Sequence, residues 1–391
     1  MTVRARPIAV DLFCGVGGLS LGFEQAGFEI AAAFDSDPIH LATYAKNFPG
    51  TAIDCVDLAR ASGTGLRERA GLVGVHIDAV IGGSPCQGFS LIGKRDPSDP
   101  RNDLLVHFAR LVGELSPTYF VLENVPGLVS GKPRDFLELF LRTVRKAGYG
   151  VLLQLKVLQS SDYGVPQQRG RLFVIGYKKR TARPAYPTRL PSGQKSYKPP
   201  TVLDAIGDLP EVERHERLLE NDSWHGGLGK PSGYAALLRG EVQDASDLSY
   251  PRRVNGGGLT GCRRTAHSRQ SVRRFARTEP GTFEPLSRLY RLPPHGLSRT
   301  IRAGTGPTHG SFMAPRPIHP LEPRCITVRE GARLQSFPDW FEFHPTKWHA
   351  FRQIGNSVPP LLARAVARTL LAAITEGSHL FPARGGRRRV G

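Results

Sequence analysis

Cysteine is scarce in this 391-residue chain, and its five cysteines, at 14, 55, 86, 262 and 325, form no Cys-x-x-Cys pair. That excludes a disulfide framework and a cysteine-built zinc site, and it fits a reducing cytoplasm. No metal site is expected. No apolar run approaches the roughly 18 to 20 residues that a membrane span needs. The N-terminus reaches apolar sequence at Ile8 without a signal-type region or a small-residue cleavage site. A cytoplasmic protein without a membrane partner is therefore expected. Phosphate-loop signatures are also missing: there is no Gly-Lys-Ser/Thr, and Ser20 interrupts what would otherwise be a Gly-x-Gly-x-x-Gly run beginning at Gly15. No internal repeat is found.

What the chain does carry is positive charge, +19 in all, with a pI near 10.2. The charge is uneven. Residues 201–250 hold ten acids against four bases, whereas residues 251–302 hold twelve arginines, two glutamates and no lysine. Arginine forks suit phosphate oxygens and guanine edges, so a DNA-facing surface is the leading reading of the second segment; an arginine-rich composition throughout is the other. A chain of this length suits one large core with a smaller lobe.

Apolar runs at Ile8–Phe13, Ile30–Phe34, Thr51–Val56, Ile77–Ile81 and Tyr119–Leu122 alternate with helical patterns beginning at Leu19, at Pro38 and over Asn102–Leu115. This predicts an α/β fold with a doubly wound, mostly parallel sheet. A helix near Arg134–Ala147 precedes Val151–Leu158 and Arg171–Gly176, read as two last strands in a hairpin-like edge. Prolines from Pro184 onward mark a boundary, so the chain divides into 1–184, a loop-rich lobe over 185–302, and a return to the first domain over 303–391 with a basic tail from about 384. Within the return, Arg329–Gln335 reads as a short helix, and Gln353–Pro360 opens a helix running to Ile374.

Two strand ends carry chemistry. Ile77–Ile81 points at Gly82-Gly83-Ser84-Pro85-Cys86-Gln87-Gly88-Phe89-Ser90, and Tyr119–Leu122 runs into Glu123-Asn124-Val125. In a parallel sheet such ends share one edge, so a thiol and a carboxyl can share a pocket. The turn Gly15-Val16-Gly17-Gly18 either binds a ligand through its backbone or is purely structural. Acids at the next two strand ends, Asp35 and Asp57, favour a nucleoside-type cofactor whose ribose and adenine they would bind. Asp54 competes with Asp57; Asp57 is preferred because Leu58 follows it and more strand precedes it.

With these pieces in place, the chain resembles the DNA (cytosine-5)-methyltransferases, which use S-adenosylmethionine. The matching blocks are Asp11–Gly18, Pro85–Ser90, Glu123–Val125, Gln167-Gln168-Arg169-Gly170-Arg171, Arg329–Gln335 and Gln353–Val358, in the family's order. The resemblance implies a Rossmann-like methyltransferase fold with a target recognition domain over about 185–302. It also implies methyl transfer to carbon 5 of cytosine in a specific duplex sequence, with the target base flipped out. Cys86 would be the nucleophile at carbon 6, Glu123 the acid at the ring nitrogen and amino group, and Arg169 and Arg171 the holders of the cytosine carbonyl and its surroundings. Phe13, Gly15, Gly17, Gly18, Leu19, Asp35, Ser36, Asp57, Leu58, Pro85 and Leu104 would line the cofactor pocket, completed by Asn356, Ser357 and Val358. The family position of Asp35 usually holds a glutamate followed by a larger residue than Ser36. Phe89–Arg101 resembles the loop that closes on DNA. DNA contacts are expected from Gln87, Ser90, Lys94, Arg95, Arg263, Arg264, Arg273 and Arg274.

The expected setting is restriction–modification or phage defence, as a monomer whose cognate endonuclease, where one exists, acts separately. A tRNA methyltransferase of the same fold is the nearest alternative, and the large arginine-rich insert favours DNA over it. A nucleotide-dependent oxidoreductase would leave Cys86 without a role, and a non-catalytic DNA-binding relative would have lost Cys86 or Glu123.

Overall fold

The computed structural model describes residues 5–84, 104–129, 133–189, 197–254, 256, 258–304 and 316–380. Its first half alternates strand and helix as the apolar periodicity predicts: β1 (Ile8–Leu12), α1 (Gly18–Gln25), β2 (Glu29–Asp35), α2 (Pro38–Asn47), β3 (Ala52–Cys55), α3 (Gly63–Arg69), β4 (Ala79–Gly82), α4 (Leu104–Leu115), β5 (Tyr119–Asn124) and α5 (Pro133–Lys146). The strands β1 to β5 are parallel, in the order β3-β2-β1-β4-β5. β4 and β5 are buried along their whole length, which is why they read as unbroken apolar runs rather than alternating ones.

The far edge of the sheet is antiparallel. It comprises β6 (Tyr149–Val151), β7 (Lys156–Gln159), the two-residue β8 (Gln167–Gln168) and β9 (Gly170–Lys178), with β9 pairing with β5 on one side and with β6 and β7 on the other. The single strand expected over Val151–Leu158 is therefore two. Tyr149 faces Lys178, but Lys156 faces Phe173, so the register jumps by two residues. The extra residues bulge out where Leu153 is exposed and Gln154 has a φ of 63°.

The second half adds α6 (Val202–Ile206), α7 (Gly233–Arg239), α8 (Arg269–Arg277), β10 (Ser298–Arg299), α9 (Val328–Leu334), α10 (Lys347–Asn356) and α11 (Pro360–Leu380). The expected helix opening at Gln353 is in fact two: Gln353 lies in the last turn of α10, and α11 starts afresh at Pro360, where a proline is tolerated because the first-turn N–H has no partner to lose. The region around 185–302, read from sequence as loop-rich and without a long periodic segment, contains three short α-helices, α6 to α8.

Helices cover both faces of the sheet. On one, α4 and α5 bury Phe108, Leu111, Phe140 and Val144 against Val10, Val80 and Phe120. On the other, α1 and α11 bury Phe23, Leu362, Val366 and Leu370 against Ala9, Ile81 and Val121. The stretch Lys347–Gly377 is apolar and long enough to cross a membrane by composition, but the apolar side of α11 is this buried face. A third cluster joins Val16, Leu21 and Tyr44 to Val202, Ile206, Leu292, Ile301, Leu334 and Ile354, so the late segments build onto the first sheet layer.

Register decides where the site can lie. Leu12 pairs with Phe34 and with Gly82, and Gly82 pairs with Leu122. The next residue on each strand, Phe13, Asp35, Gly83 and Glu123, therefore emerges along one carboxyl edge. β1 is flanked by β2 and β4, so the strand order reverses there and a crevice opens at that edge.

The contact that joins the first and last helices is at Gly22 on α1, where a Cβ would overlap Ala363 and come within 2.6 Å of Arg364 N and Pro360 O. We expect Gly22→Ala to force α11 off α1 and to cost about 1–3 kcal/mol of unfolding free energy. Denaturant midpoints check this, and an unchanged midpoint would show that the two helices are not in contact.

Candidate active site

The turn after β1 is built from left-handed backbone. Phe13, Gly15 and Gly17 have φ values of 61°, 55° and 93°, a conformation costly for phenylalanine and free for glycine. The glycines differ in use. A Cβ on Gly17 would strike the rings of Phe48 and Tyr44, and one on Gly18 would strike the Val358 carbonyl, whereas one on Gly15 meets nothing within 4 Å. Gly17 and Gly18 are therefore packing glycines, and Gly15 borders open space. The turn is held from β2, because the Asp35 carboxylate accepts the Gly15 N–H and the Asp37 N–H, each at 2.9 Å.

Around that space the expected residues divide into two groups. Asp57 lies beyond the end of β3 with its side chain 56 % exposed, accepting the Ala59 N–H, while Asp54 lies within β3 and pairs with Arg69 at 2.6 Å. Ser36 and Asn356 are exposed, and Leu104 is half-buried at the start of α4. Ser357 and Val358 come from the far end of the chain and close against Gly18. Leu19 and Leu58, by contrast, turn their side chains into the core, which leaves only their main chain to face the crevice. An open glycine rim, a carboxylate at the next strand end and a second, exposed carboxylate fit the two hydroxyls and amino group of a nucleoside.

Sequence reading missed what lies beneath the turn. Asp11 is 1 % exposed; its Oδ2 accepts the Ser20 hydroxyl at 2.5 Å, and Ser20 Oγ accepts the Tyr44 hydroxyl at 2.8 Å. Burial pushes the Asp11 carboxyl up to about 8 against the opposing Ser20 bond. The sequence presents Asp11 only as the first residue of the glycine block, and nothing in the spacing shows that Ser20 and Tyr44 converge on it.

The second half of the site is at β4 and β5. Glu123 is 7 % exposed, and its Oε1 accepts from Arg171 Nε at 2.7 Å. Burial raises the Glu123 carboxyl above its ordinary range, opposed by Arg171 and then Arg169. Gly83 is required here, since a Cβ would lie 2.8 Å from Glu123 Oε2. Asn124 Nδ2 donates to Ser84 Oγ at 3.3 Å, joining the two strand ends. Pro85, Cys86, Gln87, Ser90, Lys94 and Arg95 lie outside the described residues; the description reaches Ser84, two residues before Cys86.

Arg169 is internal. It is 0 % exposed and donates from Nη1 to Ile301 O at 3.0 Å and from Nη2 to Gly355 O and Ser357 O at 2.7 and 2.8 Å. Both terminal nitrogens are committed to main-chain acceptors inside the protein, the protein side of the two roles expected of the Arg169 and Arg171 pair.

The four expected recognition arginines also divide. Arg273 is exposed on α8, four residues from Arg269 and from Arg277, which are exposed too, so the three form one stripe without an ion-pair partner among the described residues. Arg263 is exposed and donates to Leu219 O. Arg264 instead pairs with Glu213 at 2.8 Å, and Arg274 faces Glu284 at 3.8 Å. Arg291, from the same basic segment, is internal, capping the end of α8 through the Phe275, Ala276 and Thr278 carbonyls.

Residues 8–372 match the family model of C-5 cytosine-specific DNA methylases. The chain is 52 % identical to the Type II methyltransferase M.XorII of Xanthomonas oryzae pv. oryzae over 94 % of this chain and 85 % of that protein. It is 33 % identical to the Type II methyltransferase M.DdeI of Desulfomicrobium norvegicum, over 92 % of this chain and 88 % of the relative. A crystal structure of an E. coli prophage-encoded protein, assigned as a DNA modification methyltransferase, superposes with a TM-score of 0.77 at 34 % identity, covering 94 % of this chain and 99 % of that one.

The buried Asp11 carboxyl makes a testable contribution to stability. It is protonated when folded up to about pH 8, whereas an unfolded aspartate ionises near 3.8, so the folded state holds the extra proton between these values and loses stability as pH rises through them. Asp11→Asn removes that dependence. Wild type should therefore lose stability relative to Asp11→Asn between pH 5 and about 8; a constant difference in denaturation midpoint over that range would show an ionised Asp11.

Proposed function

The chain belongs to the C-5 cytosine-specific DNA methylase family, and on that footing we propose that it methylates cytosine in duplex DNA by way of a covalent bond from Cys86 to carbon 6 of a flipped-out base. Membership makes it a DNA (cytosine-5-)-methyltransferase; the residue roles that follow are our reading. The observation that carries them is the carboxyl edge, where Phe13, Asp35, Gly83 and Glu123 emerge side by side and the chain runs on from Gly83 towards Cys86.

Cytosine is a poor carbon nucleophile until a thiolate adds to carbon 6 and gives carbon 5 enamine character. Cys86 makes that bond. Addition places negative charge on the ring, and Glu123 answers it with a proton or hydrogen bond at N3 and the amino group. A carboxyl held above its ordinary range by burial is suited to donate there, and Arg171 at 2.7 Å fixes its orientation. The methyl donor is S-adenosylmethionine, which supplies when bound a sulfonium methyl group that carbon 5 accepts. The Gly15 rim, Asp35 and Asp57 would hold its nucleoside, with Asn356 on the C-terminal side. A base then takes the carbon 5 proton, and the electron pair of that C–H bond re-forms the ring double bond and expels Cys86 from carbon 6 as the thiolate.

DNA lies across residues 185–302, with the exposed stripe Arg269, Arg273 and Arg277 on its phosphates and with Gln87, Ser90, Lys94 and Arg95 as further DNA contacts. Arg264 and Arg274, each facing a carboxylate of the same segment, brace it internally. The setting is protective methylation in restriction–modification or phage defence, carried out in the cytoplasm by a monomer.

Two experiments test this reading. Cys86→Ala should abolish methyl transfer and the adduct with 5-fluorocytosine DNA, while Glu123→Gln should slow turnover about 10²- to 10⁴-fold and leave cofactor affinity near wild type; full activity of Cys86→Ala, or equal loss of turnover and cofactor binding in Glu123→Gln, would sink the mechanism. Arg273→Ala should lower the salt slope of DNA binding by about 1, measured on duplex DNA with tRNA as competitor. Preference for tRNA would overturn the DNA assignment.

A further inference from the structure

Three stretches that lie far apart in sequence meet at the Arg169 guanidinium. Ile301 belongs to the segment returning from the 185–302 region, and Gly355 and Ser357 flank Asn356 at the end of α10. The segments are in main-chain contact, because a Cβ on Gly355 would run into the backbone of Arg302 and Ala303. Two glutamines complete the junction. Gln335 Nε2 donates to Ile354 O at 2.6 Å and Ser357 O at 2.7 Å. Gln167 Nε2 donates to Gln335 Oε1 at 3.1 Å, and Gln167 Oε1 accepts the Ile301 N–H at 3.4 Å. The terminal carbonyls of α10 are thus held by a cation and an amide from other parts of the chain, the arrangement a helix C-terminus favours.

Each end of this junction leads to a different half of the reaction. Beyond Ser357, Val358 packs on Gly18 of the glycine turn, so the loop 355–358 is one wall of the cofactor crevice. Two residues after Arg169, Arg171 pairs with Glu123. Beside it, β10 pairs with β8, and the Thr300 hydroxyl donates to Gln168 O at 2.8 Å, which ties the DNA-facing lobe to the same strand edge. A buried guanidinium leaves costly unsatisfied groups if any one acceptor moves away. The three segments are therefore constrained to move together.

We propose that Arg169 is a positioning residue that couples the cofactor-side loop 355–358 to the DNA-side segment at Ile301 and to the strand presenting Arg171, so that filling the cofactor crevice tightens DNA binding and the reverse. The inference rests on the cofactor and DNA reading given above. By linkage the effect is reciprocal, with an expected coupling of about fivefold or more.

The test compares full-length wild type, Arg169→Gln, Arg169→Lys and Gly355→Ala. Affinity for S-adenosylhomocysteine is measured by calorimetry, and affinity for duplex DNA is measured with and without it. Wild type should bind DNA more tightly with S-adenosylhomocysteine present. That ratio should fall toward one in Arg169→Gln and in Gly355→Ala, which disturbs the same junction without touching the guanidinium, and Arg169→Lys should recover part of it. Leu115→Ala, which destabilises the core on the α4 face of the sheet, should keep the wild-type ratio even where its denaturation midpoint falls as far. A wild-type ratio in folded Arg169→Gln overturns the proposal. So does a ratio of one in wild type that binds both ligands, a result that leaves the methyltransferase reading standing. Wild type that binds no S-adenosylhomocysteine removes that reading and the coupling with it.

Discussion

The close approach of α1 and α11 is the constraint on which the rest of the structure depends. Gly22 admits Ala363 and the main chain of Arg364 where any Cβ would collide, and Gly18 admits the Val358 carbonyl in the same way. These two contacts lie one helical turn apart and bring residues 357–370 back onto the first strand–turn–helix unit. Without them the crevice at the carboxyl edge would have one wall, and α11 would rest on the sheet alone. The covering of the sheet and the completion of the site are therefore one packing event.

A second regularity is how the molecule uses arginine. Arg324 is bonded through both terminal nitrogens to Glu330, and Arg333 spans Asp339 and Asp208, all of them buried. Arg329 donates to the Pro338 and Phe341 carbonyls, and Arg291 does the same for the end of α8. Burial of an isolated charge is costly, but a planar fork can satisfy several acceptors at once. The late segments, short in regular structure, are cross-linked by these forks where longer helices would use apolar faces. The acidic stretch has a matching use: Asp244 pairs with Arg364, Asp247 accepts from Gln25, and Arg252 pairs with Glu24, strapping residues 244–252 across α1 and α11.

Much of the fold was legible because its signals are local. The strands at 8–12, 29–35, 79–82 and 119–124 are apolar runs ended by glycine or a carboxylate, and a parallel sheet buried on both faces demands such runs. The break between β6 and β7 was not legible, since Val151 to Leu158 keeps an apolar texture through the bulge. Nor was α10, whose ten residues Lys347–Asn356 bury Ala350, Phe351 and Ile354 against the late segments and have their terminal carbonyls held by Gln335 and Arg169.

The sequence by itself determined which residues emerge at the sheet edge, because a strand end is fixed by a short run and the turn that follows it. Asp35 and Glu123 needed no knowledge of the rest of the chain. Only the tertiary structure decided what each polar group faces. The paired forms of Arg171 and Glu123, the neutral Asp11 under Ser20 and Tyr44, and the division of arginines into exposed and internal ones all depend on partners brought together by folding, from nine residues away for Ser20 to 186 for Gly355. Charge and hydrogen-bonding capacity are properties of a residue, but their use is set by burial and by whichever acceptor the packing brings within 3 Å.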